Sequence, residues 1–206
     1  AFFRFFNKEN DKKSVVSTSA ISLVVSSFLF FIIALLTKNQ IAILTGIDVK
    51  YITLVIWILL LDALVIIPFA YLRAKERPMR YAVIKIINVI VNFGLNIFFL
   101  LFLIKLTSKP SLLDYICKDD FEISYIFISN LIASALTLAL LITFYFRVKF
   151  RFDSELWRRM MQYAFPVLIS GVAFSINETF DRIILDFLLP EDTAEHVVGI
   201  YSACYK

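Results

Sequence analysis

Five apolar runs alternate with short charged stretches along the chain, at residues 15–36, 51–72, 81–105, 124–146 and 161–185, and a sixth begins near residue 197. About 20 predominantly apolar residues are enough for a helix to cross a bilayer, where every backbone polar group must be hydrogen-bonded. The composition agrees, with 60% hydrophobic residues, 18% charged residues and a mean hydropathy of +0.82. The sequence therefore predicts an all-α, polytopic helical membrane protein with five transmembrane helices and the start of a sixth.

The stretches outside the runs alternate in charge. In chain order they carry four, two, four, two, five and no Lys or Arg residues. Because Lys and Arg are enriched in cytoplasmic loops, residues 1–14, 73–80 and 147–160 are predicted to be cytoplasmic. In the last of these, Asp153 or Ser154 can cap a helix. This bias accounts for the pI near 9.0, so we expect no nucleic-acid partner.

Several runs carry polar side chains at membrane depth. The run 124–146 has a short polar stripe, interpreted as hydrogen bonding between helices rather than as a site, at Asn130, Ser134 and Thr137. Asp62 lies at the middle of run 51–72, where a carboxyl is costly unless it is protonated, hydrated or paired. A role in binding a coupling ion and a hydrogen bond between helices both remain open. In run 81–105, Asn88, Asn92 and Asn96 follow at helical spacing and form one ridge. They either hydrogen-bond a neighbouring helix or line an aqueous path, and we favour the path.

The run 161–185 combines the length of a membrane helix with buried charge. At about 100° per residue, two polar stripes lie side by side on one broad face. The first stripe holds Ser170, Phe174, Asn177 and Asp181, and the second holds Gly171, Ser175, Glu178 and Arg182. Such a face predicts contact with a wet cavity or a polar partner.

Catalytic and metal-binding motifs are not found in the sequence. Cys117 and Cys204 match no metal or redox spacing and are interpreted as free thiols, and His196 has no second ligand at helical spacing. No phosphate-binding, dinucleotide-binding, zinc-protease or nucleophile-elbow motif occurs. We therefore expect neither an enzyme nor a cofactor or metal.

Several motifs in order resemble a known family. The run WRRMMQYAFPVLISGVAFSINETFDRIIL carries a basic elbow, Tyr163 and Pro166, then Asn177, Asp181 and Arg182, and VGIYSACYK adds Gly199 and Tyr201. This order resembles polysaccharide biosynthesis proteins of the lipid-linked oligosaccharide flippase group, in the multidrug/oligosaccharidyl-lipid/polysaccharide exporter superfamily. The stretch RAKERPMRYAVIKIINVIVNFGLNIFF resembles an earlier part of such proteins.

The resemblance implies two six-helix lobes around a central cavity that opens alternately to each side. Residues 1–146 would belong to the N-terminal lobe, 147–160 to a cytoplasmic link, and 161–206 to the start of the C-terminal lobe. Since the chain starts without Met and stops within an apolar run, we expect a fragment of about the middle half. The implied location is the inner membrane of a bacterium.

The implied substrate is an undecaprenyl-pyrophosphate-linked oligosaccharide that moves to the outer leaflet. Partners would be this lipid, the bilayer and, as further candidates, other polysaccharide assembly proteins. The substrate-path candidates are Asn88, Asn92, Asn96, Ser170, Asn177, Asp181 and Arg182. For Arg182, an ion pair with Glu178 or Asp181 is an equal alternative to contact with pyrophosphate. The alternative functions are a cation-coupled multidrug exporter and a membrane-embedded glycan polymerase or ligase.

Overall fold

The computed structural model describes residues 1–107, 121–148, 151–188, 199 and 201. Six helices occupy these residues: α1 (Phe2–Lys8), α2 (Lys12–Thr45), α3 (Val49–Ala74), α4 (Pro78–Thr107), α5 (Phe121–Arg147) and α6 (Ser154–Leu188). Five of them, α2 to α6, are long and apolar enough to cross a membrane. The prediction of an all-α, polytopic membrane protein is confirmed. The sixth run falls outside the described residues, except for Gly199 and Tyr201.

Aspartate side chains outside the apolar runs cap the N-terminal ends of two helices. Asp11 Oδ1 accepts hydrogen bonds from the backbone N–H groups of Lys13 and Ser14, at 3.2 and 3.3 Å. Asp48 Oδ1 accepts from Lys50 N–H at 2.9 Å. The helix α4 begins at Pro78, whose missing N–H would have no partner in the first turn of a helix.

The segment predicted as a loop at residues 37–50 is mostly helical, and this boundary was wrong. The helix α2 continues past Lys38 to Thr45 and ends only at Gly46, which adopts a left-handed conformation with φ 69°. Polar residues do not stop a helix by themselves, whereas glycine in this conformation does. At about 1.5 Å per residue, α2 is about 50 Å long and exceeds the roughly 30 Å hydrocarbon core.

The helix that contains the fifth run begins before the run itself. The helix α6 begins at Ser154 rather than near residue 161, because Asp153 Oδ1 accepts from the N–H groups of Glu155 and Leu156, at 3.1 and 3.0 Å. This confirms Asp153 as the cap. Pro166 lies inside α6. The helix α1 has no counterpart among the predicted elements.

The described chain divides into two compact units, Phe2–Trp157 and Arg158–Lys206, and Ala1 groups with the second. In the first unit, α3 packs against α2 and α5, and α5 packs against α4. Apolar clusters seal these contacts: Ala34 meets Ile52 and Ile56 between α2 and α3. Val65 and Phe69 of α3 meet Leu141 of α5. The helix α5 is therefore held between α3 and α4.

Hydroxyl groups of α2 hold the segment that leads into α6. The backbone N–H of Arg151 donates to Ser17 Oγ at 2.7 Å, and that of Asp153 donates to Thr18 Oγ1 at 3.2 Å. The indole N–H of Trp157 donates to Ser22 Oγ at 2.9 Å. These bonds belong to the first unit and fix residues 151–157 against the first turns of α2.

Candidate functional site

A stripe of polar side chains on α5 meets the polar residues of both neighbouring helices. Asn130, Ser134 and Thr137 recur at helical spacing and so share one face of α5. They contact Asn92 and Asn88 of α4 and Asp62 of α3. We call the set of Asp62, Asn88, Asn92, Asn96, Asn130, Ser134 and Thr137 the polar seam. Its place inside three membrane-length helices makes it the candidate site.

Asn88 is tied to α5 by both hydrogens of its amide group. Its Nδ2 donates to the backbone oxygen of Ala133 at 3.1 Å and to Thr137 Oγ1 at 2.8 Å. A backbone carbonyl can only accept, so the NH₂ end of the amide must face α5. The oxygen Oδ1 of Asn88 therefore points away from these two partners.

The other asparagines are oriented in a chain that starts from one backbone oxygen. Asn96 Nδ2 donates to the backbone oxygen of Asn92 at 2.9 Å and to Asn92 Oδ1 at 2.7 Å. Asn92 then has its NH₂ group left, and this group donates to Asn130 Oδ1 at 3.2 Å. Each bond fixes the direction of the next amide, and the chain ends with the NH₂ group of Asn130.

Three amide groups of the polar seam keep unused hydrogen-bonding capacity. No described residue donates to Oδ1 of Asn88 or Asn96, or accepts from Nδ2 of Asn130. Among the described residues that are not exposed, Ser129 Oγ is the one fully buried side-chain polar atom without a hydrogen-bond partner. The three amide atoms are therefore accessible, and they offer two acceptors and one donor to a molecule beside the seam.

Asp62 joins α3 to the same stripe. Its Oδ1 accepts a hydrogen bond from Ser134 Oγ at 2.7 Å. The side chain as a whole is exposed, and no described residue donates to Oδ2. The hydrogen bond between helices that the sequence allowed for is present, while binding of a coupling ion stays a prediction.

The face of α4 opposite the seam is apolar. Ile90, Ile97 and Leu101 are 63%, 43% and 58% exposed. In a membrane helix, exposed apolar side chains of this kind face lipid. The helix α4 therefore separates a lipid face from the amide ridge, and the interhelical hydrogen bonds predicted for Asn130 and Thr137 are confirmed.

The remaining candidates lie on α6, in the second unit. Ser170 and Asn177 are exposed, and Asp181 is partly buried. The hydroxyl of Tyr201 donates to Asp181 Oδ2 at 3.5 Å. This hydrogen bond connects the motif that contains Asp181 with the motif that contains Tyr201. Arg182 lies within α6, but its side chain is outside the described residues. Roles of these residues in a substrate path stay predictions.

Sequence reasoning placed Asn130 only in the contact between helices and missed its accessible NH₂ group. The spacing of the polar residues on α5 predicted that they share one face of the helix. It could not predict which atoms of the Asn130 amide group the asparagines of α4 would hydrogen-bond. No group of three or more potential metal ligands occurs within the described ranges. Cys117, His196 and Cys204 lie outside them.

Comparison with known proteins identifies a family for the chain. A family model described as polysaccharide biosynthesis protein matches residues 1–206. No curated protein matches the chain, and neither does a solved structure.

Proposed function

Because the chain belongs to the polysaccharide biosynthesis protein family, whose model matches residues 1–206, we propose that it acts as a flippase. The substrate is a polyprenyl-pyrophosphate-linked oligosaccharide, which moves from the cytoplasmic to the outer leaflet of a bacterial inner membrane. The product serves surface polysaccharide synthesis, including O-antigen or lipopolysaccharide. Other polysaccharide assembly proteins supply or consume this lipid. The observation that carries the proposal is the accessible amide capacity of the polar seam.

A sugar that crosses a membrane must exchange water for other hydrogen-bonding partners. Each hydroxyl group both donates and accepts, and an unpaired hydroxyl in an apolar environment costs several kcal/mol. The free oxygens of Asn88 and Asn96 accept, and the NH₂ group of Asn130 donates. Amides are neutral, so they can replace the hydrogen bonds of water without adding a charged contact to the sugar. These properties suit a transient site on a transport path.

The alternative within the superfamily is cation-coupled export of drugs. It is favoured by one observation, the carboxyl of Asp62, whose Oδ2 has no described hydrogen-bond donor. A carboxylate at this depth can bind a proton or a cation. Asp62 fits equally well as the coupling residue of the flippase. Identifying the transported molecule therefore distinguishes the flippase from the drug exporter.

The experiment is complementation of a strain that lacks its own flippase. We expect the wild-type gene to restore surface polysaccharide, and Asn96→Leu to reduce export at least several-fold. Asn96 donates only to Asn92 on its own helix, so the substitution removes an accessible acceptor without removing a direct bond to α5. Quantifying lipid-linked repeat units inside the cell and polysaccharide outside measures the effect.

Thr137→Val is the matched control. It removes a bond between α4 and α5 but no accessible amide, so it should lower the free energy of unfolding by about 1 kcal/mol. Export at equal membrane levels should persist.

Asn92→Leu and Arg182→Ala are expected to reduce export with insertion intact. Normal export by all three site variants would reject the path, and polymer-length changes with normal lipid export would favour a polymerase or ligase.

A further inference from the structure

Two neighbouring cavities at one end of the first unit are lined by cations. The first, of about 360 Å³, is lined by Lys75, Arg77, Arg80 and Arg147 among others. The second, of about 370 Å³, shares Lys75 and Arg147 and adds Lys12 and Lys13. We call these six residues and their two cavities the basic cleft. Both volumes lie in the range of small-molecule sites.

The cleft is formed where four helices begin or end. Lys12 and Lys13 open α2, Lys75 follows α3, Arg80 lies in the first turn of α4, and Arg147 ends α5. The positive-inside rule assigns this end to the cytoplasm. Among the described residues that line either cavity there is no carboxylate. Cations from separate helices therefore share a space without an acidic lining residue to neutralise them.

One wall of the cleft is aromatic. Tyr71 lines both cavities, Phe6 lines the second and Phe144 lines the first. The rings of Phe6 and Tyr71 have centroids 6.5 Å apart, and those of Tyr71 and Phe144 are 5.1 Å apart. Lys12 Nζ lies 5.3 Å from the ring centre of Phe6, and Lys75 Nζ lies 4.8 Å from that of Tyr71. The aromatic wall thus places two ammonium groups beside apolar surface.

We propose that the basic cleft binds the headgroup phosphate of an anionic membrane lipid, one whose headgroup carries net negative charge. Lys and Arg form charge-assisted hydrogen bonds with phosphate oxygens. The aromatic wall and neighbouring side chains such as Leu72, Ile84 and Leu140 offer apolar contact to the first carbons of the lipid. A free phosphate would use the cations alone. The site is separate from the polar seam and does not depend on the flippase proposal.

The test is lipid binding by the purified protein in detergent, followed by native mass spectrometry. The probes are phosphatidylglycerol, a polyprenyl diphosphate, phosphatidylcholine and inorganic pyrophosphate. We expect at least one of the first two to bind at least tenfold more tightly than phosphatidylcholine and pyrophosphate. Tighter binding of polyprenyl diphosphate than phosphatidylglycerol identifies the occupant as a carrier lipid, and the reverse order identifies a bilayer phospholipid.

The double variant Arg80→Gln/Arg147→Gln should weaken this binding at least tenfold, while Arg80→Lys/Arg147→Lys should retain most of it. Lys38→Gln/Lys50→Gln is the matched control, since it removes two positive charges from residues that do not line the cleft. Size-exclusion profiles check that each variant folds. Unchanged binding in the Gln variant, equal loss in the control, or equal affinity for phosphatidylglycerol, polyprenyl diphosphate and phosphatidylcholine would overturn the proposal. Pyrophosphate that binds as tightly as the lipids would exclude the apolar contact.

Discussion

At the scale of single residues, Tyr145 supplies a hydrogen bond that the backbone of α3 lacks because of Pro68. Proline has no N–H, so the carbonyl of Leu64, four residues earlier in α3, loses its usual partner within the helix. The hydroxyl of Tyr145 on α5 donates to that carbonyl. A bond from the neighbouring helix thus replaces the one that proline removed, which explains how Pro68 is accommodated inside α3.

This pairing gives a prediction that can be tested as a double-mutant cycle. Tyr145→Phe should lower the free energy of unfolding by about 1 kcal/mol, because the Leu64 carbonyl is then without its donor. In a Pro68→Ala background residue 68 has an N–H, so the same substitution should cost less. Unfolding in mixed micelles of detergent and dodecyl sulfate measures all four proteins. Equal costs in both backgrounds would show that the Tyr145 hydroxyl stabilises the protein independently of the N–H that Pro68 lacks.

At the scale of helices, the start of α6 depends on a short segment held by α2. Asp153 has two roles: its carboxylate caps α6, and its own N–H donates to Thr18. A substitution at residue 153 removes the carboxylate cap but keeps the backbone N–H that donates to Thr18. Loss of a cap of this kind costs about 1 kcal/mol.

We therefore expect Asp153→Ala to lower the free energy of unfolding by about 1 kcal/mol and to increase proteolysis between α5 and α6. Asp153→Asn is the matched control, because asparagine caps helices about as well as aspartate. Limited proteolysis of membrane vesicles and micelle unfolding give the two measurements. If Asn and Ala are equally disruptive, the negative charge rather than the cap stabilises this segment.

The same helices show where sequence reasoning succeeds and where it stops. Apolar length located α2 to α6, since a bilayer requires about 20 such residues. The ends were less certain, because α2 continues through Lys38 and stops only at Gly46. In the polar seam, spacing predicted the asparagine ridge of α4. The partners could not be predicted, because the contact of Asn92 with Asn130 depends on how α4 and α5 pack.

At the scale of the whole molecule, charge is distributed unevenly between the ends of the membrane helices. The turn between α2 and α3 contains Gly46, Ile47 and Asp48, with no basic residue, whereas the turn between α3 and α4 contains Lys75 and Arg77. Lys and Arg resist transfer across the membrane during insertion, so the second turn should remain in the cytoplasm. The two turns flank α3 and must then lie on opposite sides.

Thiol labelling tests this arrangement directly. In a background with Cys117 and Cys204 replaced by serine, we expect Ile47→Cys in intact cells to react with a membrane-impermeant maleimide. Arg77→Cys should react only after permeabilisation. The pair is matched because both residues are exposed and lie in turns at the two ends of α3. Reaction at residue 77 and protection at residue 47 would invert the topology, and would place the basic cleft on the outer face. The proposed flippase substrate starts on the cytoplasmic side, so that result would exclude the cleft as a place where the substrate first binds. The proposal that the cleft binds an anionic lipid would be unaffected, and the binding assay tests it separately.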